Sequence, residues 1–409
     1  MRERIICFGI IAILLMMSVP SAAAESPIVL DEIVTLSDID LGIEGAAIDP
    51  DGKRVLLHGA DGYIGMVFAQ TPTIQVELIW SESQKLNDAS WHPGGGTAFI
   101  VGEDGIILRY ANDDLSVTLA GERLNYGQTE LTAVAWNTAG SWAYVGGDDG
   151  WLWRVRAEGN GGLEVHEIIG RGSSLITGIE CHDDLMICVV SSAVDGIGII
   201  DRDHTLTWIG GVGYPWSDVI CPTNFEPTCV ASTTSKQIGL ILLSTEGAAA
   251  TQMSINDIVG VDGRFMQLTH QYDDRSLVVL APFGLIEHDI SNNATYPWLD
   301  NEDAQKFDTT ISGDRIVGTW GTEQDSGWIV TSRGTLIEYH PSKEREAIGG
   351  LLGIIIQVTI PLVILMMIFT IAVSFSPKLQ YWVTMKIGSE EEKRDAKRIA
   401  HRKAKNKKK

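Results

Sequence analysis

Five aspartates stand directly before or within the turn glycines of this 409-residue chain: Asp61, Asp104, Asp148, Asp149 and Asp195, beside Gly62, Gly105, Gly150 and Gly196. A ring of such carboxylates could hold a cation or relay protons. Their placement, however, is what tight turns demand, because Asp tolerates the left-handed region and hydrogen-bonds its own backbone. The run Asp49-Pro50-Asp51-Gly52 has the opening of a calcium-binding loop but no bidentate acid at the required distance, so it reads as a turn. The nine histidines are scattered, and no nucleophile elbow, zinc-protease helix, phosphate loop or dinucleotide fingerprint is present. These observations predict no catalytic residue, no metal site and no cofactor.

Cysteine chemistry is more specific. Cys7 lies in an apolar leader, and four others remain: Cys181, Cys188, Cys221 and Cys229. Each pair straddles one hairpin, at equivalent places in successive repeats. In an oxidising compartment this predicts the bridges Cys181–Cys188 and Cys221–Cys229 between adjacent antiparallel strands.

The elements that position these residues recur about every 45 residues. Gly62, Gly105, Gly150, Gly196, Gly284 and Gly334 mark one point of the pattern, whose clearest copies run from Leu86 to Tyr110 and from Leu131 to Val155. Each copy is an apolar run, a turn, a second apolar run, an Asp-Gly-type turn and a third apolar run. An Asp-Gly step between β-rich runs signals a hairpin, and its repetition at this period signals a propeller. The ends of the first runs fall at Ile48, Trp91, Trp136, Cys181, Cys221, His270 and Trp320, which gives seven units. The fifth is the most divergent, with Ser235-Lys236-Gln237 in place of the turn glycine. The last unit lacks a fourth strand and the first is preceded by a spare one, Ile28–Leu36. The fold predicted is therefore an all-β, seven-bladed β-propeller over residues 25–345. Its N-terminal strand closes the ring against residues 336–339, which removes an exposed sheet edge.

The pattern Trp91-x-Pro93-x-Gly95, followed by Val101-Gly102-x-Asp104-Gly105-x-Ile107-x-Arg109-Tyr110, resembles the WD-repeat-like propeller superfamily. It is also similar to the propellers of extracytoplasmic membrane-complex assembly factors. The resemblance covers residues 28–340 and rests on repeat rhythm, without the Gly-His and Trp-Asp signature of WD repeats proper. It implies a role in holding a protein partner. Asp148–Trp153 and Asp325–Ile329 resemble the Asp-boxes of sialidase-like propellers, which are themselves structural.

The ends of the chain predict its topology. Arg2 and Arg4, the apolar run Ile5–Val19 and the small residues up to Ala24 read as a signal peptide over 1–24. Residues 349–375 carry no charge and exceed the ~20 residues that cross a bilayer. Of the net charge of −22, residues 376–409 contribute +8 and residues 1–24 contribute +1, which leaves −31 on residues 25–375. The basic tail places the C-terminus in the cytoplasm and the acidic propeller outside, in a single-pass protein of the cell membrane. Such acidity repels DNA. The tail over 376–409 reads as a charged helix that meets anionic lipid, with Tyr381 and Trp382 at the bilayer surface; ribosome or RNA contact by the tail is a weaker expectation, since it lacks interleaved aromatics.

The candidate partner-binding rim is formed by the connections between blades: Trp80, Tyr214, Trp216 and Trp298, with Asp148, Asp149 and Trp151 on the turns that share that rim. Trp and Tyr are favoured hot-spot residues. Asn293-Ala294-Thr295 is an acceptor triplet for N-linked glycan. The function expected is a non-catalytic scaffold that recognises an extracytoplasmic protein or membrane complex; the alternative is a surface glycan-binding or glycan-cleaving propeller.

Overall fold

The computed structural model describes residues 26–121, 129–158, 162–222, 227–271, 275–290, 292–342 and 376–406. It divides into two units, Ser26–Ser342 and a second made of the remaining N- and C-terminal residues. The segments read as signal peptide (1–24) and membrane span (349–375) lie outside the described residues. Among the described residues no helix is long and apolar enough to cross a membrane.

Ser26–Ser342 is a seven-bladed propeller of seven four-stranded antiparallel sheets. The inner strands are Ile43–Ile48, Leu86–Trp91, Leu131–Trp136, Ile176–Cys181, Trp216–Ile220, Arg264–His270 and Ile316–Glu323. Each touches the inner strand of the next blade, and the seventh touches the first, so the ring is closed around an axis. The seam between two blades is a layer of fully buried aliphatic and aromatic side chains, such as Phe99, Val101, Val134, Val145 and Trp153 between blades 2 and 3. Burying each such side chain contributes about 1.5–3 kcal/mol. Both faces of each sheet are covered, which explains the near-continuous apolar runs.

Local chemistry sets the repeat. Asp61, Asp104 and Asp149 have φ of 51°, 57° and 54°, and the glycines that follow have φ of 71°, 68° and 70°. Two consecutive left-handed residues define the hairpin turn whose twist matches the flanking strands. In blade 5 the left-handed position is taken by Lys236, at φ 68°, which is why the unit survives without its glycine. Every inner strand carries a bulge at the same level, at Leu86/Asp88 and Trp216/Asp218 for example. A bulge adds twist and re-aims the side chain beside it.

The closing strand, Ile28–Thr35, pairs antiparallel with Thr335–Pro341, placing Val34 opposite Leu336 and Leu30 opposite Tyr339. Ile28, Leu30, Ile337 and Tyr339 enter the core of the seam with blade 6, beside Trp298. The last backbone bond of this closure, Ser342 N–H to the carbonyl of Pro27, spans 2.8 Å, so the chain enters and leaves the propeller at one point. The predicted disulfides Cys181–Cys188 and Cys221–Cys229 are both formed. One element has no counterpart in the repeat reading: helix α1, Asn301–Phe307, inserted between blades 6 and 7 and capped by the Asp300 carboxylate on the Asp303 N–H at 2.7 Å.

The described part of the second unit is two helices, α2 (Pro377–Ile387) and α3 (Glu390–Asn406). Ser389 and Glu392 form a reciprocal cap at the start of α3, and Lys393 pairs with Glu390 at 3.1 Å. Tyr381 and Trp382 are exposed on α2.

Candidate functional site

The connections from an outer strand to the next inner strand, together with the turns from second to third strands, make up one face of the ring. The predicted rim residues all belong to this neighbourhood, and the structure sorts them into three groups. Trp216 and Trp298 are excluded from any rim. Trp216 opens the inner strand of blade 5 at 1% exposure, its indole N–H donating to the Gly211 carbonyl at 2.8 Å. Trp298, in the outer strand of blade 6, is fully buried with its ring edge-on to Tyr339. Both are corrections to the sequence reading.

Trp80 and Trp151 reach the face but offer little of it. Trp80 is half-buried and packs over Gly62. Trp151 stacks on Trp153 at 5.4 Å with planes 4° apart, while the Arg171 guanidinium lies 3.3 Å from its ring centroid. Arg171 also donates to the Asp149 carbonyl at 3.0 Å. The Trp151 indole is therefore engaged by two of the protein's own side chains. Asp149 and Tyr214 are exposed, and Asp148 is half-buried.

Of the turn carboxylates, Asp195 is bound into the fold. Asp195 accepts from the backbone N–H groups of Ser173 and Ser174 at 2.8 and 2.7 Å, and from the hydroxyls of Ser174 and Ser192. Burial would raise its pKa, but these bonds outweigh it and hold the carboxyl down at about 2. They stitch the connection onto blade 4.

What the same face does display is aliphatic. Ile39, Ile79, Ile169, Val212 and Val259 are between 71 and 89% exposed, each in a different outer-to-inner connection. Three of them occupy equivalent positions. Leu78, Ile168 and Ile258 donate the last outer-strand backbone bond of blades 1, 3 and 5, to Ile64, Leu152 and Lys236, and turn inward. The next residue, Ile79, Ile169 or Val259, then points to solvent by strand alternation. The signal in the sequence is the aliphatic pairs that end these outer runs, Leu78-Ile79, Ile168-Ile169 and Ile258-Val259.

The axis carries a second group that the sequence reading missed. Asp88, at the bulge of blade 2, accepts from the Val134 N–H of blade 3 at 2.7 Å and from the Ala89 N–H at 2.8 Å. Asp218 repeats this in blade 5, accepting from Leu268 of blade 6 at 2.9 Å and from Val219 at 2.7 Å. Both clasp neighbouring inner strands. Burial pushes each up to about 7 against those donors, and the charge of Asp218 adds to the rise at Asp88. Glu180 of blade 4 is driven well above the usual carboxylate range, by burial first and then by Asp183, Asp88 and Asp218. All three acids sit on inner strands, in blades 2, 4 and 5. A bulge spaced from the end-of-strand ruler was the only signal for them.

Among the described residues, clefts on the opposite face, where inner strands turn into second strands, include two between neighbouring blades. One, about 240 Å³, lies between blades 2 and 3 and is lined by Arg109, Arg156, His92 and Trp136. His92 bridges that seam, with Nδ1 accepting from Gly94 N–H at 2.9 Å and Nε2 facing the Gly140 carbonyl at 3.1 Å. The other cleft, about 310 Å³, lies between blades 4 and 5 and carries Asp184 and Glu246.

With this geometry in view, the resemblance to known structures is informative. Virginiamycin B lyase from Staphylococcus aureus superimposes with a TM-score of 0.58 at 13% identity, covering 77% of this chain and 100% of the lyase. A catalytically inactive variant of that lyase with quinupristin gives 0.60 at 13% identity over the same coverage. The β-propeller domain of Cps50 (Swd1) from Myceliophteria thermophila gives 0.59 at 9% identity, again covering 77% and 100%. The likeness is one of fold. No protein-family model matches the chain, and no curated protein matches it. The seven-bladed propeller predicted from repeat rhythm is thus shared with both a lyase and a WD-type propeller.

Proposed function

We propose that the propeller is a non-catalytic scaffold for an extracytoplasmic protein or membrane complex, docking through the face built from its outer-to-inner connections. One observation carries this reading: the strongly exposed aliphatics Ile39, Ile79, Ile169, Val212 and Val259, in five of the seven connections, on one face of the ring. A partner that covers the whole face would bury all of these side chains at once, each worth about 1.5–3 kcal/mol. The propeller chain enters and leaves from the opposite face, so a partner can cover this one without meeting the ends. The surrounding negative charge favours a partner with a basic margin. Anchoring by a span over 349–375, a cleaved leader over 1–24, a cytoplasmic C-terminus and lipid contact by the basic α3 tail belong to the same proposal. Glycan recognition needs open indole faces, and the burial of Trp216 and Trp298 together with the capping of Trp151 weighs against it.

The test is site-specific photo-crosslinking of the full chain in native membranes. A photoreactive residue at Ile79 or Ile169 should trap one and the same protein, and at Leu242, exposed on the other face, should not. Adducts from neither ring position, or the same adduct from all three positions, would overturn the proposal.

A further inference from the structure

The closing strand and its partner assemble a set of metal-ligand side chains that the propeller scaffold does not require. Ile28, Leu30, Ile337 and Tyr339 point into the core, so strand alternation places Asp31, Glu338 and His340 together on the other side of the sheet. The register shift between Leu30 and Ile33 sets Asp31 and Glu32 against Glu338. His340 Nε2 lies 3.7 Å from Asp31 Oδ2 and 3.4 Å from Glu338 Oε1, and all three ligand atoms fall within 4.8 Å of one another.

These distances are too long for good N–H···O hydrogen bonds, whose usual range ends near ~3.2 Å. The 3.4 Å separation falls within another geometry and the 3.7 Å one lies just outside it. Ligands at about 2.0–2.2 Å from a tetrahedral zinc stand roughly 3.3–3.6 Å apart along the tetrahedron's edges. One imidazole and two carboxylates supply three corners, and the outward-facing fourth is open to water. The triad is partly exposed, so a cation can reach it directly.

We propose that Asp31, Glu338 and His340 form a binding site for a borderline divalent cation of the zinc type, which clasps the closing strand to the last blade. The donor set selects against calcium and magnesium, which take oxygen ligands at higher coordination number. Because Asp31 comes from the start of the propeller and the other two ligands from its end, the bound ion bridges the one joint in the ring that no short hairpin secures. An ion that binds only the closed joint suppresses its opening in proportion to 1 + [ion]/Kd, roughly tenfold at ten times Kd.

The experiment is zinc titration of the full chain in detergent, by calorimetry and by hydrogen exchange read at Val29–Thr35. One site is expected in the wild type, with exchange of the closing strand slowed about tenfold at tenfold excess over Kd. The variants His340→Gln and Asp31→Asn should each lose at least tenfold in affinity and lose the slowing; circular dichroism confirms that they remain folded. His401→Gln in the tail should leave both readouts unchanged, and magnesium in place of zinc should produce neither. Unchanged zinc affinity in both triad variants, no binding at all, or slowed exchange elsewhere than the closing strand would each overturn the proposal.

Discussion

Blades 4 and 5 and blade 7 solve the same problem in opposite ways. Blades 4 and 5 are each pinned by a disulfide across a single hairpin, over separations of 7 and 8 residues. Blade 7 is completed by a strand from the far end of the propeller, Ile28–Thr35, through backbone pairing and a few buried side chains. A short covalent loop removes roughly 2–3 kcal/mol of freedom from the unfolded chain, whereas a noncovalent long-range joint leaves the unfolded chain free and must overcome the full closure entropy each time it forms. The difference implies that the ring opens first at blade 7 and that the disulfides protect a sector rather than the whole.

The sharpest way to break this comparison is at the joint. Leu30→Ala removes a core side chain of the closing strand and should cost about 2–5 kcal/mol, with hydrogen exchange at Val29–Thr35 rising before that of any other strand. If another blade opens first, the contrast is wrong. Replacing Cys181 and Cys188 together by alanine should cost about 2–3 kcal/mol in denaturant unfolding while leaving exchange at Val29–Thr35 unchanged. An equal rise there would mean the two regions are one cooperative unit.

A subtler probe lies on the axis. Asp88 and Asp218 are raised to about 7 in the fold, so the native state holds protons that the unfolded chain has released. Their contribution is fully present below the ordinary carboxylate value and is lost as pH rises towards 7. Substituting both by asparagine should flatten that loss, by up to roughly 3 kcal/mol for each carboxyl between pH 4 and 7. His58, His270 and His288, each lowered to about 4 by burial, run the other way. The measurement is therefore the variant minus the wild type at each pH, and a difference independent of pH would refute the axial assignment. Smallest in stability is Ile79→Asp, which should change folding by less than about 0.5 kcal/mol yet abolish the crosslink made from Ile169.

The fold was legible because its signals are local and repeated. Trp91, Trp136, Cys181 and His270 do end inner strands, and the Asp-Gly turns adopt the left-handed pair their chemistry favours. Helix α1 was not read, since it breaks the period and shows only as a longer spacing between His270 and Trp320. The candidate site was legible in place but not in residues. Whether Trp216 lies in a connection or opens a strand turns on a boundary one or two residues wide, and that boundary decides between rim and core. Asp88 and Asp218 were invisible for another reason: the backbone groups they accept from, at Val134 and Leu268, belong to the next blade and lie 46 and 50 residues away along the chain.

The meeting of Pro27 and Ser342 across one hydrogen bond has a further consequence. A peptide linker of a few residues would join them, and new termini could then be cut at any outer-to-inner connection. Such a circular permutant would convert the borrowed strand of blade 7 into an ordinary hairpin and shift the ring's weakest joint to a blade of the experimenter's choosing.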